Sequence, residues 1–327
     1  MRRRIDWIDQ VKGWAIFLVV YGHNFPVTEK YIYTFHMPLF FMIAGFFHPR
    51  EQTREVIARR AKYLLVPYFL WASILYVFWF FAGRKFGESA AYHLSPLKNF
   101  AGIFYAQGGR EYMDWGIPLW FLPAMFLTFL LFYLVRSAGK YQYLLLALLV
   151  VSGFLIPGFV PRKLPWSLDV AMVALAFYSA GFYTFSFFKN APSASARRIL
   201  VLTGILHAVL YFFNSKVDMY RSEYGRAVVF LLNGWAGSTF YLLLFRELIR
   251  FPFLSYIGKY TIPILAMQLR AMTVIKAFLI YVAGRQVLDF SEGERLLYSV
   301  VQILLMIPVF FLIDKYAPIL NGSPKKT

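Results

Sequence analysis

Ten residues separate Lys12 from His23 in the run Asp9-Gln-Val-Lys-Gly-Trp-Ala-Ile-Phe-Leu-Val-Val-Tyr-Gly-His-Asn24. An imidazole that titrates near 6.5 is the side chain best matched to general acid/base work at neutral pH. On an α-helix, eleven steps of about 100° bring the two side chains back to within about 20° of one face, with about 16 Å of rise between them. The run around them is apolar, which puts Lys12 at a helix entrance and His23 at membrane depth. An ionisable group at that depth is costly unless it lines a polar cavity, so it marks a functional site by default. A second imidazole, His36, opens the next apolar run, Tyr33-Thr-Phe-His-Met-Pro-Leu-Phe-Phe-Met-Ile-Ala-Gly-Phe46. A connection of about ten residues holds both rings in the same half of the bilayer.

The elements that must position these groups follow from composition. The 327 residues are 60% hydrophobic, 20% aromatic and only 15% charged, with mean hydropathy +0.56. That is an integral-membrane chain, not a soluble globule. Cysteine is absent, so disulfides, thiolate metal sites and cysteine acyl-enzymes are excluded. Against the roughly 20 residues a helix needs to cross a bilayer, the apolar runs suggest about ten spans: roughly 8–26, 32–48, 63–82, 117–135, 141–158, 167–187, 199–214, 226–246, 260–283 and 296–316. The fold class expected is all-α, a polytopic bundle, with residues 1–327 forming one membrane domain. The 190–197 stretch, Asn190-Ala-Pro-Ser-Ala-Ser-Ala-Arg197, is a small-residue linker between two helical halves. No internal repeat is visible, which weakens any transporter scheme built on inverted repeats.

The net charge of +18 raises the question of nucleic acid, but the cations are scattered between apolar runs and form no stripe. Membrane topology accounts for them better. With the N-terminus inside, the inner segments hold twenty Lys and Arg and the outer ones twelve. This bias predicts cytoplasmic termini in a bacterial-type inner (plasma) membrane, with Arg2, Arg3, Arg4 and the Arg50–Lys62 loop as the main anchors. The first run contains Tyr21, His23 and Pro26 and lacks an Ala-x-Ala-like exit, so it reads as a retained helix and not a cleaved signal.

Each remaining candidate has a bland reading beside the functional one. His23 and His36 are either site groups or buried rings bonded to carbonyls; their pairing, with Lys12 on the same face as His23, favours the site. His48 and His93 read as interface or loop residues, and His207, alone in an apolar span, as structural. Arg270 sits near the middle of the ninth span and should face the interior, for ligand contact or a structural ion pair. Arg59 and Arg60 are either phosphate ligands or inner anchors. Trp120 and the aromatic 99–121 stretch are a stacking surface or an interface belt. Asp114 and Asp169, near the outer surface, either bond an acceptor or are solvated. No metal is expected, because no helix carries a second His or carboxylate at ligand spacing from the first.

These residues resemble the integral-membrane acyltransferase 3 family, and within it the sugar O-acetyltransferases similar to fucose 4-O-acetylase, over nearly the whole chain. Lys12 and His23, preceded by Trp7-Ile-Asp9, match the family's basic residue, ten positions, then His. Phe35-His-Met-Pro-Leu-Phe-Phe41 with Ala44-Gly-Phe46 is similar to the His-x-Pro-Leu-Phe-Phe and Ser-Gly-Phe elements. Arg59-Arg60 with Leu64-Leu-Val-Pro67-Tyr68, then Pro118-Leu-Trp-Phe-Leu122, then Tyr256-Ile-Gly-Lys-Tyr-Thr261 follow in the family's order. One position departs: where many relatives place a His after the last element, this chain has Gln268, which cannot transfer a proton and is left a hydrogen-bonding role.

The resemblance implies transfer of an acyl group, usually acetyl from acetyl-CoA, to a hydroxyl of a sugar or cell-surface glycan precursor. The assignments it suggests are His23 as general base with His36 beside it; Lys12, Arg59, Arg60 and Arg270 as contacts for acyl-CoA; and Asn24, Trp120 and Gln268 as acceptor contacts. The partners are then acyl-CoA, the glycan acceptor and the lipid bilayer, with no nucleic acid. A two-step path through an acyl-His23 intermediate stays open. The competing class is a polytopic transporter or exporter of a polysaccharide or small solute, in which substrate movement would survive loss of His23.

Overall fold

The computed structural model describes residues 5–322 apart from 52, 86 and 161. Arg2, Arg3 and Arg4, expected as inner anchors, lie outside the described residues. Fifteen α-helices follow in order: α1 (Asp6–Gly22), α2 (Glu29–Tyr33), α3 (His36–Phe46), α4 (Arg54–Phe81), α5 (Gly87–Ala91), α6 (Pro96–Tyr105), α7 (Arg110–Met113), α8 (Phe121–Ser137), α9 (Gln142–Phe159), α10 (Leu168–Asn190), α11 (Ser193–Phe213), α12 (Ala227–Glu247), α13 (Pro252–Ile257), α14 (Thr261–Tyr281) and α15 (Glu292–Tyr316). The protein is all-α and polytopic, and no strand occurs among the described residues.

Among the described residues, eight helical stretches are long and apolar enough to cross a membrane; they contain α4, α8, α9, α10, α11, α12, α14 and α15. The other two apolar runs hold α1, of 17 residues, and α3, of 11. Both are short because the chain turns between them. Phe25 takes a left-handed φ of 54° just before Pro26, and α2 then fills the connection. A non-glycine residue in that region is uncommon and is held there by its surroundings.

Two helix crossings bring α1 and α3 into the middle of the bundle, and both depend on glycine. A β-carbon on Gly45 of α3 would fall 2.0 Å from the Tyr178 carbonyl oxygen of α10, and one on Gly181 of α10 would fall 2.0 Å from that of Met42. The same reciprocal approach joins α1 to α13: Gly13 would strike the Leu254 oxygen at 1.9 Å, and Gly258 the Asp9 oxygen at 2.0 Å. In lipid, apolar side chains gain nothing by leaving lipid for a neighbour, so close backbone contact is what holds helices together.

One apolar core surrounds α1 and α3 with parts of α4, α12, α13, α14 and α15, and a second lies between α8, α10 and α12. The α1 and α3 helices run in opposite directions. Their neighbouring ends, with the connections after α4, α11 and α14, form one face of the bundle. The other face holds the start of α1, the end of α3 and the start of α4.

Candidate active site

His23 caps the C-terminus of α1 and His36 is the first residue of α3. The helix ends position both rings in the same way. His23 Nδ1 lies 2.7 Å from the Val19 carbonyl and His36 Nδ1 lies 2.8 Å from that of Ile32. A carbonyl can only accept, so each Nδ1 carries the proton and donates it, and each Nε2 keeps the lone pair. His36 also lies tilted on the Tyr33 ring, with centroids 5.0 Å apart.

Both imidazoles line a cavity of about 790 Å³. Its floor and lower wall are apolar: Val19, Met37, Phe121, Leu265 and Leu269. The 3₁₀ turn Ile117–Trp120, led by Pro118, delivers Trp120 into the wall, where the indole is only 6% exposed. Glu29, Tyr33, Tyr92, Arg110, Lys216, Asp218, Tyr220, Arg221 and Lys276 ring the mouth. A second void of about 50 Å³ shares Val19, Met37, Phe121 and Leu265 with this cavity and extends it past Ile16 and Phe40 toward the opposite face.

The mouth is stiffened from behind. Lys163 Nζ stands 3.9 Å from the Tyr220 ring centroid and donates to the Tyr220 carbonyl at 2.5 Å. Burial pushes the Lys163 amine down to about 8. Burial also pushes the Asp218 carboxyl up to about 6, against the attraction of Arg221, whose Nε lies 3.5 Å away.

Of the residues expected to act, the fold brings His23, His36 and Trp120 together around one cavity. It does not bring the others there. Lys12 lies at the opposite face, half-buried and paired with Asp9 at 2.8 Å. Arg59 is exposed at that same face. Arg60 is turned inward there, its guanidinium 5.3 Å from the Phe129 ring centroid, and its Nη2 is buried without a hydrogen-bond partner.

Three further expected contacts do not line the cavity. Asn24 turns away from the cavity and donates to Ser299 Oγ and Gln302 Oε1, both at 2.7 Å, tying the end of α1 to α15. Gln268 is fully buried, and both polar atoms of its side chain lack partners, while its carbonyl accepts from Gln302 at 2.9 Å. Arg270 donates to the Trp115 carbonyl at 2.8 Å and the Asp114 carbonyl at 3.3 Å, pinning the 83–116 connection onto α14. For Asn24 and Arg270 the side-chain donors are used on neighbours whose own polar atoms need a partner, whereas the Gln268 amide is buried without one.

The two outer carboxylates bond within the protein, with Asp169 Oδ1 left buried without a partner. Asp114 accepts from Trp79 at 2.7 Å and from Ser89 at 2.5 Å, and Asp169, 4% exposed, accepts from Ser222 at 2.5 Å. His48, expected at an interface or in a loop, is buried: four rings, of Phe129, Phe132, Tyr178 and Phe182, surround it, and its Nδ1 meets the Tyr178 hydroxyl at 3.0 Å. His207 is a core residue paired with Asn233. No cluster of three His, Cys or carboxylate side chains stands in metal-ligating position among the described residues.

The mouth residues escaped sequence reasoning. They come from three connections and one helix, spread from Glu29 to Lys276, and no local spacing links them. The available signal was weak: Lys276, like Arg270, is a cation placed within an apolar run.

A bundle of apolar helices around a cavity lined by two histidines defines a polytopic membrane protein with a site suited to proton transfer. A family model described as "Acyltransferase domain", that of the acyltransferase 3 family, matches residues 5–315. The chain therefore belongs to that family and is a membrane acyltransferase. No curated protein and no solved structure matches it.

Proposed function

We propose that this protein moves an acetyl or short acyl group from acyl-CoA to a hydroxyl of a sugar or glycan precursor, with His23 as general base. The observation that carries this reading is that both imidazoles donate Nδ1–H to a backbone carbonyl and line one cavity. A sugar hydroxyl has a pKa far above 7, so it attacks a thioester only when a base takes its proton as the bond forms. In the proposed step the hydroxyl oxygen bonds to the thioester carbon, its proton passes to His23 Nε2, the carbon–sulfur bond breaks, and the same proton returns to the departing CoA sulfur. His36 Nε2, also a lone-pair acceptor, receives a second hydroxyl and orients the ring. Trp120 supplies an apolar face for sugar C–H groups.

On this reading the donor approaches from the Lys12 face, the cytoplasmic one by the positive-inside bias. The orphaned Arg60 Nη2 suits a CoA phosphate, with Lys12 and Arg59 near the same end as weaker, exposed contacts. The small void past Ile16 and Phe40 supports a route for the thioester arm toward His23.

The test is CoA release from acetyl-CoA by detergent-purified protein, wild type against His23→Ala, across a panel of sugars. Acceptor-dependent release that disappears in the variant supports the reading. Near-normal turnover by His23→Ala sinks the general-base assignment.

A further inference from the structure

The charges that line the cavity mouth are unbalanced. Four cations, Arg110, Lys216, Arg221 and Lys276, line the cavity against two carboxylates, Glu29 and Asp218. Two of the cations are engaged. Arg221 pairs with Asp218 at 3.5 Å, and Arg110 is met from outside the wall by Asp114, also at 3.5 Å. Among the described residues neither Lys216 nor Lys276 forms an ion pair. Behind the lining, Asp114, Asp169 and Glu223 offset Lys163 and the remaining excess, so what distinguishes the mouth is not a net positive field but the two lysines of the lining that lack an ion pair, Lys216 and Lys276.

Lys276 is the telling member. It stands on the membrane-spanning helix α14, where a charge is costly unless it faces a polar space. It belongs to the α14 stripe of Leu265, Leu269, Met272 and Thr273 that lines the same cavity. Its ammonium lies eleven residues, about 16 Å, along α14 from Leu265, whereas His23 lies four residues, about 6 Å, along α1 from Val19. Leu265 and Val19 face each other across the floor and the small void. Counted along the two helices, Lys276 therefore stands about 10 Å nearer the mouth than His23.

We infer that the acceptor is an acidic glycan, bearing a carboxylate or phosphate that Lys216 and Lys276 hold at the mouth while a hydroxyl further in meets the two imidazoles. This rests on the acyl-transfer reading and names the class of its acceptor. The separation places the charge on a neighbouring sugar or linkage, not on the ring being acylated. Arg110, 4.8 Å from the Tyr92 ring centroid, and Arg221, 5.5 Å from that of Tyr220, form charged and aromatic walls on either side. The same cations would also attract the phosphates of CoA, so the experiment must separate the two sources.

Two disaccharides differing in a single carboxylate, cellobiouronic acid and cellobiose, are titrated by calorimetry into detergent-purified full-length protein without donor. Wild type is expected to bind the acid at least about tenfold more tightly, the lower end for one charge-assisted contact. The Lys216→Gln/Lys276→Gln double variant should lose that preference while its affinity for CoA stays unchanged. Equal or absent binding of the two sugars, or a preference that survives the double variant, overturns the inference. A double variant that instead loses CoA affinity assigns the cations to the donor and also overturns it. If the acid binds as expected but no acyl transfer to it occurs with acetyl-CoA, the acyl-transfer reading is what fails.

Discussion

His36 opens α3 and His48 lies two residues past its end, the same residue type in opposite designs. At one end His36 faces a cavity of about 790 Å³ with Trp120 and His23; at the other His48 is enclosed by four aromatic rings. His36 spends its Nδ1 on a backbone carbonyl and keeps Nε2 for the cavity, whereas His48 Nδ1 meets a tyrosine hydroxyl within a packed core. A buried imidazole is thus neither functional nor structural by type. What decides is whether the space beside its second nitrogen is open or filled.

Several substitutions break or sharpen this contrast. The largest effect belongs to the open end: His23→Ala should lower kcat by about 10²–10⁴, the usual range for losing a general base, while the protein still purifies as a folded species. His48→Ala should do the reverse, lowering the unfolding temperature while the folded fraction keeps its kcat; a kcat loss as large as that of His23→Ala would erase the distinction.

Next comes the crossing that holds α3 between the two ends. Gly181→Ala puts a carbon 2.0 Å from the Met42 oxygen, so backbone must move, and overpacking of this kind costs on the order of 1–3 kcal/mol. Thermal unfolding in detergent reads it, and an unchanged unfolding temperature would show that the helices need not approach so closely.

A smaller effect follows from Asp218 at the mouth. Its folded-state carboxyl, at about 6 against an ordinary 3.8, holds its proton more tightly than the unfolded chain does. The contribution of this group to stability therefore falls as pH rises from about 4 to about 6 and is flat above that. The groups acting on it are Arg221, Lys163 and Lys216, which favour the carboxylate, and Glu223, which opposes it. Asp218→Asn should remove that part of the pH slope of the unfolding temperature, and an unaltered slope would show that Asp218 is not its source. The smallest change is expected at the filled face. Lys12→Ala should lose a half-buried pair worth about 0.2–1 kcal/mol and, on the proposed function, should mainly raise the apparent KM for acyl-CoA.

The motifs that carried the family resemblance divide along the same line. His23, His36 and Trp120 face the cavity. Tyr68 in Leu64-Leu-Val-Pro67-Tyr68 instead donates to the Ile103 carbonyl at 2.8 Å, and Tyr260 in the last element donates to Asp314 at 2.5 Å. Gly45 and Gly258, each inside a motif, are contact points between helices. A motif records that a residue type is required at a position, and close packing requires glycine as strictly as chemistry requires histidine. Asn24 and Arg270, singled out by the same reading, spend their donors on other parts of the protein that would otherwise go unpaired, and the Gln268 amide is buried without a partner.

Composition and hydropathy by themselves determined the class of this molecule, because lipid leaves apolar helices as the way for such a chain to satisfy its backbone. Helical periodicity also separated Lys12 from His23 by a distance no side-chain bond could span, and the structure accordingly pairs Lys12 with Asp9. Tertiary structure decided the rest. Which nitrogen of His23 and His36 is free, which of five histidines meets open space, and how Glu29, Arg110, Lys216, Asp218 and Lys276 reach one mouth all depend on contacts between residues far apart in the chain. A single helix's periodicity fixes the direction of a side chain, but only its neighbours determine what that side chain meets.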